Sequence, residues 1–214
     1  MSFWTGIILK HSVVLAADSR RVYPEKGSYE DGRSNLLQVN QYTWLAAAGF
    51  FPLAGVMLQG FRQVFGEQKV DLPLLTDPET NFRGALQKAY RELKAENSAS
   101  VDVLIGGISS EDQPYLAPVS SADGFMPRIF RDPLATICLN FPEPLQSQVR
   151  AGVASLKGRL AKEPLEESRL RATNAALRQI IAQVAAGSEW VAPEAEMVVI
   201  SAKGSTLSQI RQPV

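Results

Sequence analysis

Gly6-Ile-Ile-Leu-Lys-His-Ser-Val-Val-Leu-Ala-Ala-Asp-Ser-Arg20 is the stretch on which the reading of this 214-residue chain turns. Gly6 to Leu9 and Val13 to Ala17 are short apolar runs rich in β-branched residues. Lys10-His11-Ser12 separates them, so the segment predicts a hairpin of two buried strands. It ends in Asp18, followed by Ser19, Arg20 and Arg21.

Outward from that hairpin the pattern repeats. Residues 20–34 are polar and punctuated by Pro24, Gly27 and Gly32, which predicts an irregular excursion. Asn35 to Asn40 and Thr43 to Ala48 predict a second strand pair around Gln41-Tyr42. After Gly49, Pro52 suits the first turn of a helix in which Leu53, Val56, Met57, Gly60, Phe61 and Val64 recur at helical spacing. Thr76 and Glu79 form a capping box with Pro78 inside it, ahead of a stripe of Phe82, Ala85, Leu86, Ala89, Tyr90 and Leu93. Val101 to Ile108, Pro114 to Val119 and Leu134 to Leu139 predict central strands. Two helices follow, marked by Leu145, Val149, Val153, Leu156 and Leu160, then by Leu170, Thr173, Leu177, Ile180, Ile181 and Val184. Glu196 to Ala202 and Thr206 to Gln212 predict a last hairpin around Lys203-Gly204-Ser205.

Helices thus come in pairs between runs of strands. That order argues against a parallel α/β sheet and for an α+β fold, with antiparallel sheets sandwiched between helical layers. No internal repeat or low-complexity linker divides the chain, so residues 1–214 read as one domain.

Composition narrows the chemistry. Lys+Arg and Asp+Glu both number 22, so no net charge recommends nucleic acid or an anionic membrane as partner. The apolar fraction of 45% is that of a folded protein. A lone cysteine, Cys138, excludes an internal disulfide and any multi-thiolate metal site. A lone histidine, His11, excludes the two- and three-histidine zinc sites and leaves a Ser-His-Asp triad one base. No run approaches the roughly 18 apolar residues of a membrane span, and the start lacks the basic region of a signal peptide. The compartment reads as cytoplasmic, with no metal and no cofactor expected.

The Val13-Val-Leu-Ala-Ala-Asp-Ser-Arg20 stretch resembles the first hairpin of proteasome β subunits and their bacterial relatives, in the N-terminal-nucleophile hydrolase superfamily. Asn35-Leu-Leu-Gln-Val-Asn40 is similar to that family's third strand, and Ala46-Ala-Ala-Gly49 to its oxyanion-loop glycine. Val101-Asp-Val-Leu-Ile-Gly-Gly-Ile108 with Pro114-Tyr-Leu-Ala-Pro118 resembles its central hairpin. The resemblance covers residues 2 to about 119 in sequence and the remainder in element order. It implies the family's four-layer αββα sandwich.

The resemblance also implies a site. In that family the first residue of the mature chain is the nucleophile, with an aspartate sixteen residues later. Counting back sixteen from Asp18 reaches Ser2, whereas Thr5 lies thirteen before it. Removal of Met1 would free the Ser2 α-amine. A hydroxyl needs a base, and an amine with an ordinary pKa of about 7.7–8.0 can serve from within the same residue. Asp18 would orient the nucleophile, and Gly49 would offer its N–H to the oxyanion. At the family's lysine position stands Asn35, which donates and accepts hydrogen bonds but carries no charge. Arg33 and Lys26 are the nearby cations in sequence.

Two functions therefore stand open. One is an N-terminal serine amidase or peptidase that works through an acyl-enzyme. The other is a proteasome-like structural or assembly subunit without catalysis. Partners implied by the resemblance are further copies of the chain in a ring, a peptide or amide substrate, and an unfoldase or regulator. For Arg20 and Arg21 the expectation is solvated pairing. For Asn35 outside the active site it is a surface strand start, for His11 a surface turn, and for Cys138 a buried apolar position.

Overall fold

The computed structural model describes residues 3–23, 27–49, 51–77, 82–94, 101–139, 145–189 and 191–210. The opening hairpin is β1 (Trp4–Ile8) and β2 (Ser12–Asp18), paired from Trp4 opposite Ala17 to Ile8 opposite Val13. Both strands are buried along their whole length, which explains their nearly unbroken apolar sequence. After the short strands β3 (Arg21–Tyr23) and β4 (Ser28–Glu30) come β5 (Leu36–Asn40) and β6 (Thr43–Gly49). Helices α1 (Phe51–Phe65), α2 (Leu72–Thr76) and α3 (Phe82–Lys94) precede β7 (Val101–Ile108), β8 (Pro114–Ser120) and β9 (Thr136–Leu139). Helices α4 (Gln146–Leu160) and α5 (Glu166–Ala186) lead to the final hairpin, β10 (Ala195–Ser201) and β11 (Gly204–Ile210).

Two antiparallel sheets result, ordered β11-β10-β2-β1-β9 and β5-β6-β7-β8. The period of two along each strand assigns its side chains to different cores. Trp4, Ile8, Val13, Leu15 and Ala17 meet Trp44, Ala46, Leu104 and Leu116 between the sheets. The alternate residues Ile7, Val14, Ala16 and Met197 face Val149, Leu156, Leu177, Ile180 and Ile181 of α4 and α5. On the other sheet Leu45, Val103, Ile105 and Tyr115 pack with Ala54, Met57, Phe61 and Leu86 of α1 and α3. The fold is an α+β sandwich of two antiparallel sheets with helices packed on their outer faces. Among the described residues no helix is long and apolar enough to cross a membrane.

Several expectations shift. Residues 20–34 are less irregular than their turn residues suggest, since β3 and β4 pair there from Arg21 opposite Glu30 to Tyr23 opposite Ser28. The buried face of α1 is Ala54, Met57, Phe61 and Phe65, while Val56 and Val64 point outward. Thr76 ends α2 and donates its Oγ1 proton back to the carbonyl of Pro73. Its expected capping partner Glu79, with Pro78, lies outside the described residues. Strand β9 begins two residues late, because Leu134 has φ +66° and Ala135 closes a turn onto Asp132.

Candidate functional site

Asp18 ends β2 where three chain segments converge, and it is fully buried. Its Oδ1 accepts the N–H of Phe3 at 2.9 Å. Its Oδ2 accepts the N–H of Ala192, in the connection between α5 and β10, at 3.1 Å and that of Arg20 at 3.4 Å. The main chain of Asp18 returns the contact, donating to the carbonyl of Phe3 at 3.0 Å. Burial pushes the carboxyl up to about 7, with the N–H donors of Ala192, Phe3 and Arg20 pulling the other way. Ser2 lies outside the described residues. The peptide group that joins it to Phe3 nonetheless carries the N–H held by Asp18.

Asn35 is buried just before β5, not at the surface. Its Nδ2 donates to the carbonyls of Asp18 at 2.8 Å and Arg20 at 3.1 Å. Its own carbonyl accepts the N–H of Ala47 in β6 at 2.9 Å. One residue therefore ties the end of β2 in one sheet to β6 in the other. Both amide hydrogens are spent on main-chain carbonyls, a task a neutral amide performs without bringing charge into the interior.

Gly49 closes β6 two residues beyond Ala47, opposite Val101. Its φ of +90° lies in the region that favours glycine, and it is exposed to solvent. Asp18 and Asn35 are thus brought into direct contact, and Gly49 stands on the strand that Asn35 anchors.

The cations arrange themselves differently from expectation. Arg20 is 8% exposed and grips Asp31 with both Nε, at 2.6 Å, and Nη2, at 2.8 Å. Its Nη1 donates to the carbonyl of Glu189, and its guanidinium lies 3.8 Å from the ring centre of Tyr29. The hydrogen bond to Asp31 holds the guanidinium above its ordinary range, and the same bond lowers Asp31. Solvated pairing is therefore the wrong reading of Arg20: a planar fork that meets carboxylate, carbonyl and ring at once can be buried. Arg21 donates to the carbonyl of Ser34 at 3.0 Å. Arg33 pairs through its side chain with Glu30 at 2.8 Å, and Lys26 lies outside the described residues. Among the described residues, the hydrogen-bond donors to the Asp18 carboxyl are backbone N–H groups.

Among the described residues, His11 and Cys138 stand apart from Asp18 and Asn35. His11 is exposed, and its main-chain N–H, together with the Ser12 hydroxyl, donates to Glu166 at the start of α5. Cys138 sits 2.9 Å from the Thr5 hydroxyl, and burial pushes its thiol up to about 11. Among the described residues no three His, Cys, Asp or Glu side chains gather as a metal site would need. The sequence expectation named Asp18 but not two features of its surroundings. The N–H of Ala192 carries no side-chain signal, and the fork of Arg20 could be foreseen only with Asp31 and Tyr29 known to be adjacent. No protein-family model matches the chain, and no curated protein matches it in sequence.

Proposed function

We propose that the chain is a proteasome β-like N-terminal-nucleophile hydrolase in which processing ahead of Ser2 frees a serine whose own α-amine is the base. The observation that carries this reading is the 2.9 Å hydrogen bond from the Phe3 N–H to Asp18, which fixes the residue next to Ser2. A nucleophile on a chain end is useless if the end wanders, because effective concentration depends on orientation. Asp18, held by three donors and returning one of its own, supplies that orientation.

The reaction then follows. Ser2 Oγ attacks an amide carbonyl while the neutral α-amine takes the hydroxyl proton, giving a tetrahedral oxyanion that the Gly49 N–H stabilises. The ammonium returns the proton to the leaving amine as the C–N bond breaks, leaving an ester on Ser2. Water, deprotonated by the same amine, hydrolyses the ester and restores the hydroxyl. A peptide or amide substrate, a cytoplasmic location and assembly into a ring of identical copies go with this reading. An αββα N-terminal-nucleophile fold would account for the layering of sheets and helices.

A second reading, a catalytically silent assembly subunit, is favoured by Asn35. Its side chain is committed to the carbonyls of Asp18 and Arg20 and adds no positive charge beside the carboxyl. A peptide electrophile that esterifies N-terminal serines separates the two. Stoichiometric modification of Ser2, absent in Ser2→Ala, supports the hydrolase. An unmodified chain with a free Ser2 amine supports the silent subunit.

A further inference from the structure

We infer that Arg20 is a positioning residue that couples the β3–β4 hairpin to the Asp18 cradle, so that the hairpin's docking sets the order of the site. Regulation of that site is the proposed consequence, and in this respect the inference rests on the function proposed above. The mechanical coupling itself does not.

Five described attachments converge on this one residue. Its guanidinium forks onto Asp31, directly after β4, and stacks on Tyr29 within β4. The third guanidinium contact reaches the carbonyl of Glu189, on the connection that supplies the Ala192 N–H to Asp18. The main-chain N–H of Arg20 goes to Asp18 itself, and its carbonyl accepts from Asn35. Arg20 bonds both sides at once: the hairpin segment through Asp31 and Tyr29, and the carboxyl through its own N–H.

The nature of these bonds makes the hairpin the releasable partner. Arg20 is buried, whereas the Asp31 side chain is 49% exposed and Tyr29 is 51% exposed. Water can compete at the Asp31 end. Once the fork opens, the guanidinium loses the partner that fixes its plane, and the Glu189 contact loses its geometry with it. The connection carrying Ala192 is then held less tightly against Asp18.

Asp31→Asn tests this on the intact chain, by amide hydrogen exchange. Among the described residues no hydrogen bond joins Asp31 to Ala192, yet the variant is expected to speed exchange of the Ala192 amide about tenfold, the size of one lost charge-assisted hydrogen bond. Asp31→Glu, which keeps the carboxylate, is expected to restore most of the protection. Faster exchange in Val22 and Tyr29 with Ala192 unchanged would overturn the coupling, as would no change in either. An equal rise at Ile105, buried in β7, would overturn it too, because the effect would then be global destabilisation. Exchange reads no catalysis, so a wild-type chain whose Ser2 is never modified defeats the hydrolase reading and leaves this result standing.

Discussion

Phe3 and Asp18 exchange hydrogen bonds: the Phe3 N–H reaches Oδ1 at 2.9 Å, and the Asp18 N–H reaches the Phe3 carbonyl at 3.0 Å. The aspartate side chain therefore continues the β1–β2 ladder beyond Trp4 opposite Ala17. It fastens the chain one residue after Ser2. A buried carboxyl used in this way has consequences for stability as well as for catalysis.

The first concerns pH. The folded-state pKa of Asp18 is raised from 3.8 to about 7 by burial. Between pH 4 and 7 the unfolded chain has lost this proton while the folded chain keeps it. Asp18 thus contributes stability that is fully present below pH 4 and is lost as pH rises to 7, a change on the order of 4 kcal/mol. Urea unfolding of wild type and Asp18→Asn across that range gives the difference curve. It is expected to slope through the window and flatten above it; a flat difference throughout refutes the assignment.

Asn35 offers a separate test of the cradle. Asn35→Ala leaves the carbonyls of Asp18 and Arg20 without their donor and is expected to cost about 2–4 kcal/mol. Asn35→Asp donates to one of them only when protonated. Its loss of stability is therefore expected to be greater at pH 7 than at pH 4, relative to Asn35→Ala, in the same denaturation measurements.

At Gly49 the backbone itself is the constraint. A φ of +90° strains any residue with a Cβ, so Gly49→Ala is expected to cost about 1–3 kcal/mol. Chemical denaturation reads this directly. If the Gly49 N–H stabilises the oxyanion, Ser2 acylation slows as well, while Phe3 amide protection stays unchanged.

Two further glycines predict opposite signs. A Cβ on Gly107 would stand 2.5 Å from the carbonyl oxygen of Tyr42, so Gly107→Ala forces β7 away from the turn that precedes β6 and is expected to cost about 1–3 kcal/mol. A Cβ on Gly55, within α1, meets nothing within 4 Å. Gly55→Ala is expected to stabilise by about 0.5–1 kcal/mol. Thermal melts of the two variants should move in opposite directions.

Much of the fold was legible because the central strands β1, β2, β6 and β7 are buried on nearly every position, which writes them as short, dense apolar runs such as Val13 to Ala17. The helix pairs were legible from their periodicity, yet α1 shows its limit. Val56 and Val64 sit one position from Met57 and Phe65 and share their chemistry, so composition could not say which set faces the core. The β3–β4 pair was hidden by its brevity, three residues to a strand. The position of Asp18 at the end of a buried strand was legible from the apolar run before it, while its proposed role came from the family resemblance. The burial of Asn35 was not legible, because its partners are the main-chain carbonyls of Asp18 and Arg20, seventeen and fifteen residues away, and carbonyls leave no trace in sequence.

Mass spectrometry of the intact, processed chain after exposure to a peptide electrophile for N-terminal nucleophiles tests the central claim most directly. The account predicts loss of everything ahead of Ser2 and one adduct per chain, mapped to Ser2 and absent in Ser2→Ala. A chain that retains Met1, or that has a free Ser2 amine and takes up no adduct, contradicts it.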